Sequence, residues 1–134
     1  MSLTVVSPSN ANCVWSINDR EFFLDLQDAG TVEHCEAAFA AMGEREKALP
    51  KDGKTSARIR AYCQLFRDLF DDVFGEGSAQ KIYGDTYNAR IATEVYENFL
   101  DFMASQQNAL SETQNRITAR YNPNRAQRRA AGKK

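Results

Sequence analysis

The stretch from residue 55 to residue 74 constrains the fold most, because its apolar residues recur at steps of three and four. These residues are Ile59, Tyr62, Cys63, Phe66, Leu69, Phe70, Val73 and Phe74. That spacing places them on one face of an amphipathic helix, and other elements must cover such a face. Pro50 and Gly53 precede the stretch, and Gly75-Glu76-Gly77 ends it. The sequence therefore predicts a central helix of 20 residues with a strong need for partners.

Three further helices are predicted around this one. Asp28 or Thr31 can cap a first helix that runs to about Leu49, with the apolar positions Val32, Cys35, Phe39 and Met42. Ser78 can cap a short helix that reaches Tyr83 before Gly84 stops it. A last long helix is expected to start near Asp85 or Thr86, to show Ile91, Val95, Phe99, Phe102 and Met103 on one face, and to continue past the core to Tyr121. We expect Phe66, Phe70 and Phe74 to pack against Val95, Phe99 and Phe102.

Two β-prone runs precede the helices. They are residues 13–17 and residues 21–26, and the turn formers Asn18-Asp19-Arg20 lie between them. This pattern predicts a β-hairpin, and an isolated hairpin is marginal in water, so its apolar face should lean on the helices. The predicted fold class is mainly α with a short N-terminal hairpin (α+β), a small bundle of three to four helices within residues 13–121.

Charge is distributed unevenly along the chain. From Arg116 to the end there are seven basic residues and no acidic one, so residues 1–115 hold all 18 acids and 10 bases, a balance of 10 − 18 = −8. We expect a flexible N-terminus over residues 1–12, an acidic body, and a disordered basic tail over residues 122–134. Three interpretations of this tail remain: a solvated end, a phosphate-binding arm, or an arm that docks on an acidic protein.

Composition excludes several protein classes. No apolar run approaches the roughly 18 residues of a membrane span, and the first residues lack the pattern of a secretory signal. The three cysteines are odd in number and widely spaced, which is typical of reduced thiols and not of a disulfide framework or a zinc site. We therefore expect a cytoplasmic protein without a membrane partner.

Groups for catalysis or metal binding are scarce. His34 is the only histidine, and Asp68, Asp71 and Asp72 are predicted to form a solvated helix face. Gly53-Lys54-Thr55 lacks the first glycine and the preceding strand of a phosphate loop, and Ser78-Ala79-Gln80-Lys81 lacks the companion motifs of serine acyl-enzymes. We expect no metal, no cofactor and no enzymatic activity. An enzyme built around His34 is the weakest hypothesis.

Two short segments resemble those of a known protein family. Residues 69–84 read Leu-Phe-Asp-Asp-Val-Phe-Gly-Glu-Gly-Ser-Ala-Gln-Lys-Ile-Tyr-Gly, and residues 124–129 read Asn-Arg-Ala-Gln-Arg-Arg. Both resemble segments of the tail assembly chaperones of long-tailed (siphovirus-type) phages and prophages of Gram-positive bacteria. Asp85-Thr86-Tyr87 departs from the Gly/Asn-rich step expected before the last helix.

The resemblance implies a non-catalytic role. Such chaperones coat the long helical tape measure protein until tail tube subunits polymerise around it, in the host cytoplasm. The implied partner is the tape measure protein. The tail tube protein is a second candidate partner, and a homo-oligomer of the chain is a further hypothesis that the sequence leaves open. Candidate partner-binding residues are an exposed apolar strip and the basic tail: Phe74, Tyr83, Tyr87, Leu110, Arg125, Arg128 and Arg129. The alternative function is a nucleic-acid-associated accessory protein that acts through the basic arm, although we expect nucleic acid not to be a partner.

Overall fold

A two-stranded hairpin and four helices make up the described part of the chain. The computed structural model describes residues 13–121, with the side chains of residues 13–119. The elements are β1 (Val14–Ile17), β2 (Arg20–Phe23), α1 (Ala29–Lys47), α2 (Thr55–Phe74), α3 (Ser78–Tyr83) and α4 (Ala89–Tyr121). The predicted fold class, mainly helical with an N-terminal hairpin and a long last helix, is confirmed.

The hairpin turns at two residues. Asn18 and Asp19 both have positive φ, 49° and 61°, as a type I′ turn requires, and their short polar side chains tolerate this region. Arg20 consequently belongs to β2, where it pairs with Ile17. The ladder ends at the Val14–Phe23 pair, so both strands are shorter than predicted.

The hairpin packs on the helices through Trp15, which is 2% exposed. Its indole stacks on Phe70 with ring centroids 5.4 Å apart and contacts Phe99 at 5.1 Å. The indole Nε1–H donates to the Asn98 side-chain oxygen at 2.8 Å, which satisfies the one polar atom of the ring. The expectation that the hairpin leans on the helices is confirmed.

Helix boundaries follow from the caps. The Asp28 carboxylate accepts the Thr31 N–H at 2.9 Å and caps α1, which ends at Lys47 instead of Leu49. The bounds of α2 and α3 match the prediction. The predicted start of α4 at Asp85 or Thr86 is wrong, because Asn88 accepts the Ile91 N–H at 3.1 Å and caps a helix that begins at Ala89.

The contact between α2 and α4 forms the centre of the core. Phe99 is fully buried, with its ring centroid 5.3 Å from that of Phe70 and 5.7 Å from that of Phe74. Phe66 packs on Tyr96 at 4.9 Å. The predicted α2–α4 pairing is thus confirmed for Phe70 and Phe74 with Phe99.

The three cysteines are buried and free, and burial raises the pKa of each thiol.

Candidate partner-binding surfaces

The segment that joins α2 to α3 is organised by Asp71. Gly75 and Gly77 both have positive φ, 110° and 94°, a conformation that favours glycine. The chain turns back there, so that the Ala79 N–H donates to the Asp71 carboxylate at 2.8 Å. The expectation that Ser78 caps this helix is wrong, since Ser78 is its buried first residue and makes no side-chain cap. Asp71 supplies the acceptor from the preceding helix.

Arg67 is a buried charged residue at the centre of this segment, and sequence reasoning missed it. Its guanidinium donates to the Gln80 side-chain oxygen and the Gly84 carbonyl, both at 2.9 Å, and to the Thr86 carbonyl at 3.3 Å. It also lies over the Tyr87 ring, 4.7 Å from the centroid. Within residues 13–119 it forms no ion pair. One arginine therefore holds α3 and the loop before α4 against α2. The sequence feature that could have revealed Arg67 is its position on α2, four residues after Cys63 and therefore on the apolar face of the helix.

Of the aromatic residues proposed as an exposed strip, Tyr83 lies in the core, and Phe74 and Tyr87 pack against it. Tyr83 is 7% exposed, its hydroxyl donates to the Ala92 carbonyl at 3.2 Å, and burial strongly raises its pKa. The expectation that Tyr83 is exposed is wrong, because its ring packs against that of Phe70 in the core, with the two centroids 6.0 Å apart. Phe74 and Tyr87 are half-buried. Phe74 stacks on Trp15 at 5.8 Å, and the Tyr87 hydroxyl donates to Gln64 at 3.0 Å.

Leu110 belongs to a different surface, on the part of α4 that extends beyond the core. The last side chain of α4 to reach the core is Gln106, which accepts the Leu26 N–H at 2.8 Å and donates to the Leu24 carbonyl. Past this point no described side chain belongs to the hydrophobic core. Residues 107–121, which we name the α4 extension, span about 22 Å at about 1.5 Å per residue.

The α4 extension carries a narrow apolar seam. Leu110 is half-buried and Ile117 is 49% exposed. With Thr113 between them they are spaced by three and four residues, the spacing that faces a partner helix in coiled coils. Met103 and Gln106 continue the same spacing toward the body, where they pack against the chain's own core. Neither Leu110 nor Ile117 belongs to the hydrophobic core of the described residues, so the seam is a candidate surface for a partner helix. Arg125, Arg128 and Arg129 lie outside the described residues, as do the N-terminus and the basic tail.

Acidic side chains between α1 and α2 are used to join the two helices. Arg45 pairs with Asp72 at 2.9 Å and with Asp68 at 3.8 Å, and a ring nitrogen of the exposed His34 lies on the Asp72 carbonyl oxygen. The prediction that these aspartates form a solvated helix face is therefore wrong for Asp68 and Asp72, because both are half-buried and paired with Arg45. Among the described residues no group of three or more His, Cys, Asp or Glu side chains is placed to hold a metal ion.

The rejected phosphate-loop motif occupies an ordinary position between two helices. Thr55 is the first residue of α2, and the element before Gly53-Lys54 is the helix α1, so the strand that precedes a phosphate loop is replaced by a helix, as predicted.

Over residues 13–121 no helix is both long and apolar enough to cross a bilayer.

Comparison with known proteins identifies a family. A family model described as "Family of unknown function (DUF6673)" matches residues 18–132. That range begins in the hairpin turn and includes all four helices. No curated protein and no solved structure matches the chain.

Proposed function

The chain belongs to the DUF6673 family, whose function is unknown, and we propose that it is a non-catalytic phage or prophage tail assembly chaperone. In this role it binds the tape measure protein in the host cytoplasm and keeps it soluble until tail tube protein assembles. The motif resemblance over residues 69–84 and 124–129 supports the phage assignment. The α4 extension supports a helical partner.

The apolar seam of the α4 extension is the observation that carries this proposal. Past Gln106, α4 continues for 15 residues, and none of their described side chains belongs to the hydrophobic core. Its seam repeats at coiled-coil spacing, so the complementary surface is another helix with apolar residues at the same spacing. A long helical protein offers many such sites along its length.

The motif at residues 69–84 supports the proposal through the fold and not as a contact surface. Arg67 and Asp71 fix the path from α2 through α3 to α4. This path sets the direction in which α4 leaves the body. We therefore assign Tyr83 and Phe74 to positioning α4, and Leu110 and Ile117 to binding the partner.

Co-expression with the tape measure protein of the same phage or prophage genome tests this function. We expect the tape measure protein to be largely soluble with the wild-type chain and largely insoluble with the variant Leu110→Glu/Ile117→Glu. The matched control is Gln107→Glu/Gln114→Glu, which adds the same charge at exposed positions of the same helix.

The control variant should preserve solubility, because it leaves the seam intact. If the tape measure protein is equally insoluble with and without the wild-type chain, the chaperone function is wrong. If the chain instead binds DNA or RNA with an affinity that falls by orders of magnitude between low and physiological salt, the nucleic-acid alternative is favoured.

A further inference from the structure

An open aromatic groove lies between α1, α2 and the first half of α4. Its volume is about 460 Å³, and its lining includes the rings of Phe39, Tyr62, Phe66 and Tyr96 and the carboxylates of Glu46 and Glu97. Phe39, Tyr62 and Tyr96 are only half-buried. The Phe66 ring contacts Tyr62 edge-on and Tyr96 at a tilt, each at 4.9 Å between centroids. The groove thus presents aromatic rings to an occupant.

Two carboxylates at the groove have no cationic partner in the described chain. Glu46 and Glu97 are exposed, and within residues 13–119 neither forms an ion pair. The nearby acids Asp68 and Asp72 are already paired with Arg45. Burial, and next the negative charge of Glu46, raise the pKa of Tyr96. The groove is therefore acidic as well as aromatic.

Aromatic faces beside carboxylates favour a guanidinium group over other occupants. Arginine stacks its flat face on aromatic rings and donates in pairs to carboxylate oxygens. An apolar or acidic segment would leave Glu46 and Glu97 unpaired or repelled. The complementary occupant is thus a segment that contains several arginines and small residues and no acid.

The chain itself contains such a segment. Residues 122–134 hold Arg125, Arg128, Arg129, Lys133 and Lys134, no acid, and the small residues Ala126, Ala130 and Ala131. The net charge of residues 1–115, 10 − 18 = −8, is opposite in sign to that of this segment. We propose that the basic arm of one copy, through Arg125, Arg128 and Arg129, binds in the aromatic groove of a second copy.

Distance along α4 requires the second copy. Glu97 and Tyr121 are 24 residues apart in one helix, which is about 36 Å at a rise of about 1.5 Å per residue. Arg125 and Arg128 follow Tyr121 by four and seven residues, so even a fully extended chain carries them at most about 14 and 25 Å from the helix end. The arginines cannot fill the groove of their own chain together. Because arm and groove are different surfaces, the contact is heterologous and generates rings or open helical assemblies.

Sedimentation velocity of the full-length chain over a range of concentrations, after nuclease treatment, tests this inference. We expect association that weakens at least tenfold in both Arg125→Gln/Arg128→Gln/Arg129→Gln and Glu46→Gln/Glu97→Gln. Glu33→Gln/Glu76→Gln removes the same charge from exposed sites outside the groove and should associate like the wild type. Circular dichroism melts establish that each variant is folded.

A charge exchange makes the test specific. Glu46→Lys/Glu97→Lys and Arg125→Glu/Arg128→Glu/Arg129→Glu should each fail to self-associate, and mixing the two should restore association between them. A wild-type chain that stays monomeric at every concentration overturns the inference. Association that survives the groove substitutions also overturns the inference, since the arm would then bind elsewhere. The same holds if the chain is monomeric and neutralising the arm shifts the NMR signals of Tyr96, since the arm would then bind in its own chain. The association needs no tape measure protein, so its outcome is independent of the chaperone function.

Discussion

Replacing Phe99 by alanine should be the most damaging single truncation of the core. The Phe99 ring is fully buried and lies 5.1–5.7 Å from the rings of Trp15, Phe70 and Phe74. Truncation of a buried phenylalanine costs about 3–5 kcal/mol, the transfer free energy of the ring plus the cavity that remains. Four ring contacts are lost, the fourth with Phe102 at 6.5 Å, each worth about 0.5–1.5 kcal/mol beyond area burial, so the upper half of that range is expected.

Urea unfolding followed by circular dichroism measures this loss, because the midpoint should fall while the slope stays constant. At about 2.1 cal/mol/K per residue of unfolding entropy, a loss of 3–5 kcal/mol lowers Tm by about 11–18 °C. Phe23→Ala is the matched control, since Phe23 is 63% exposed. It should cost about 1 kcal/mol or less. A Phe99→Ala variant that is no less stable than Phe23→Ala would refute the assignment of the α2–α4 core.

Three further predictions concern polar groups of the body. Arg67→Lys should cost about 2–3 kcal/mol in urea unfolding, because one ammonium cannot replace the bonds to Gln80, Gly84 and Thr86, whereas Arg90→Lys on the surface should have no effect. Gln106→Leu should lower the free energy of unfolding by at least about 2 kcal/mol, because the Leu26 N–H and the Leu24 carbonyl lose their partner. Gln107→Leu, at an exposed position, is the control, and an equal loss in that variant would contradict the prediction. Burial raises the pKa of folded Tyr83 above the unfolded value of about 10, so the contribution of Tyr83 to stability should be constant below that pH and be lost above it. The buried thiols, whose pKa values burial also raises, lower stability already from about pH 8.5. Above about pH 10 stability should therefore fall less steeply in Tyr83→Phe than in the wild type, and identical slopes there would show that Tyr83 is not the cause.

The elements with strong periodicity were predictable from the sequence. The bounds of α2 and α3 and the turn at Asn18-Asp19 follow from apolar spacing, glycine stops and turn chemistry. The start of α4 was misplaced because Asp85, Thr86 and Asn88 are all competent caps. Only the tertiary contacts of the loop before α4, held by Arg67, select Asn88.

The candidate surfaces were harder to predict, since exposure depends on packing. Tyr83 and Leu110 are both apolar residues outside the main stripes, and the sequence treats them alike. Contacts with the Phe70 ring and the Ala92 carbonyl place Tyr83 in the core, while Leu110 lies beyond Gln106, whose side chain bonds to Leu24 and Leu26. The groove beside Tyr96 could not be predicted either, because its walls come from three helices far apart in sequence.

Hydrogen exchange of the chain alone and with the tape measure protein tests the central claim most directly. Amides of residues 107–119 should exchange fast in the free chain, because the α4 extension lacks core contacts. They should become strongly protected when the tape measure protein binds, and the protection should vanish in Leu110→Glu/Ile117→Glu but persist in Gln107→Glu/Gln114→Glu. Unchanged exchange of the α4 extension in the presence of the tape measure protein would contradict the proposed function.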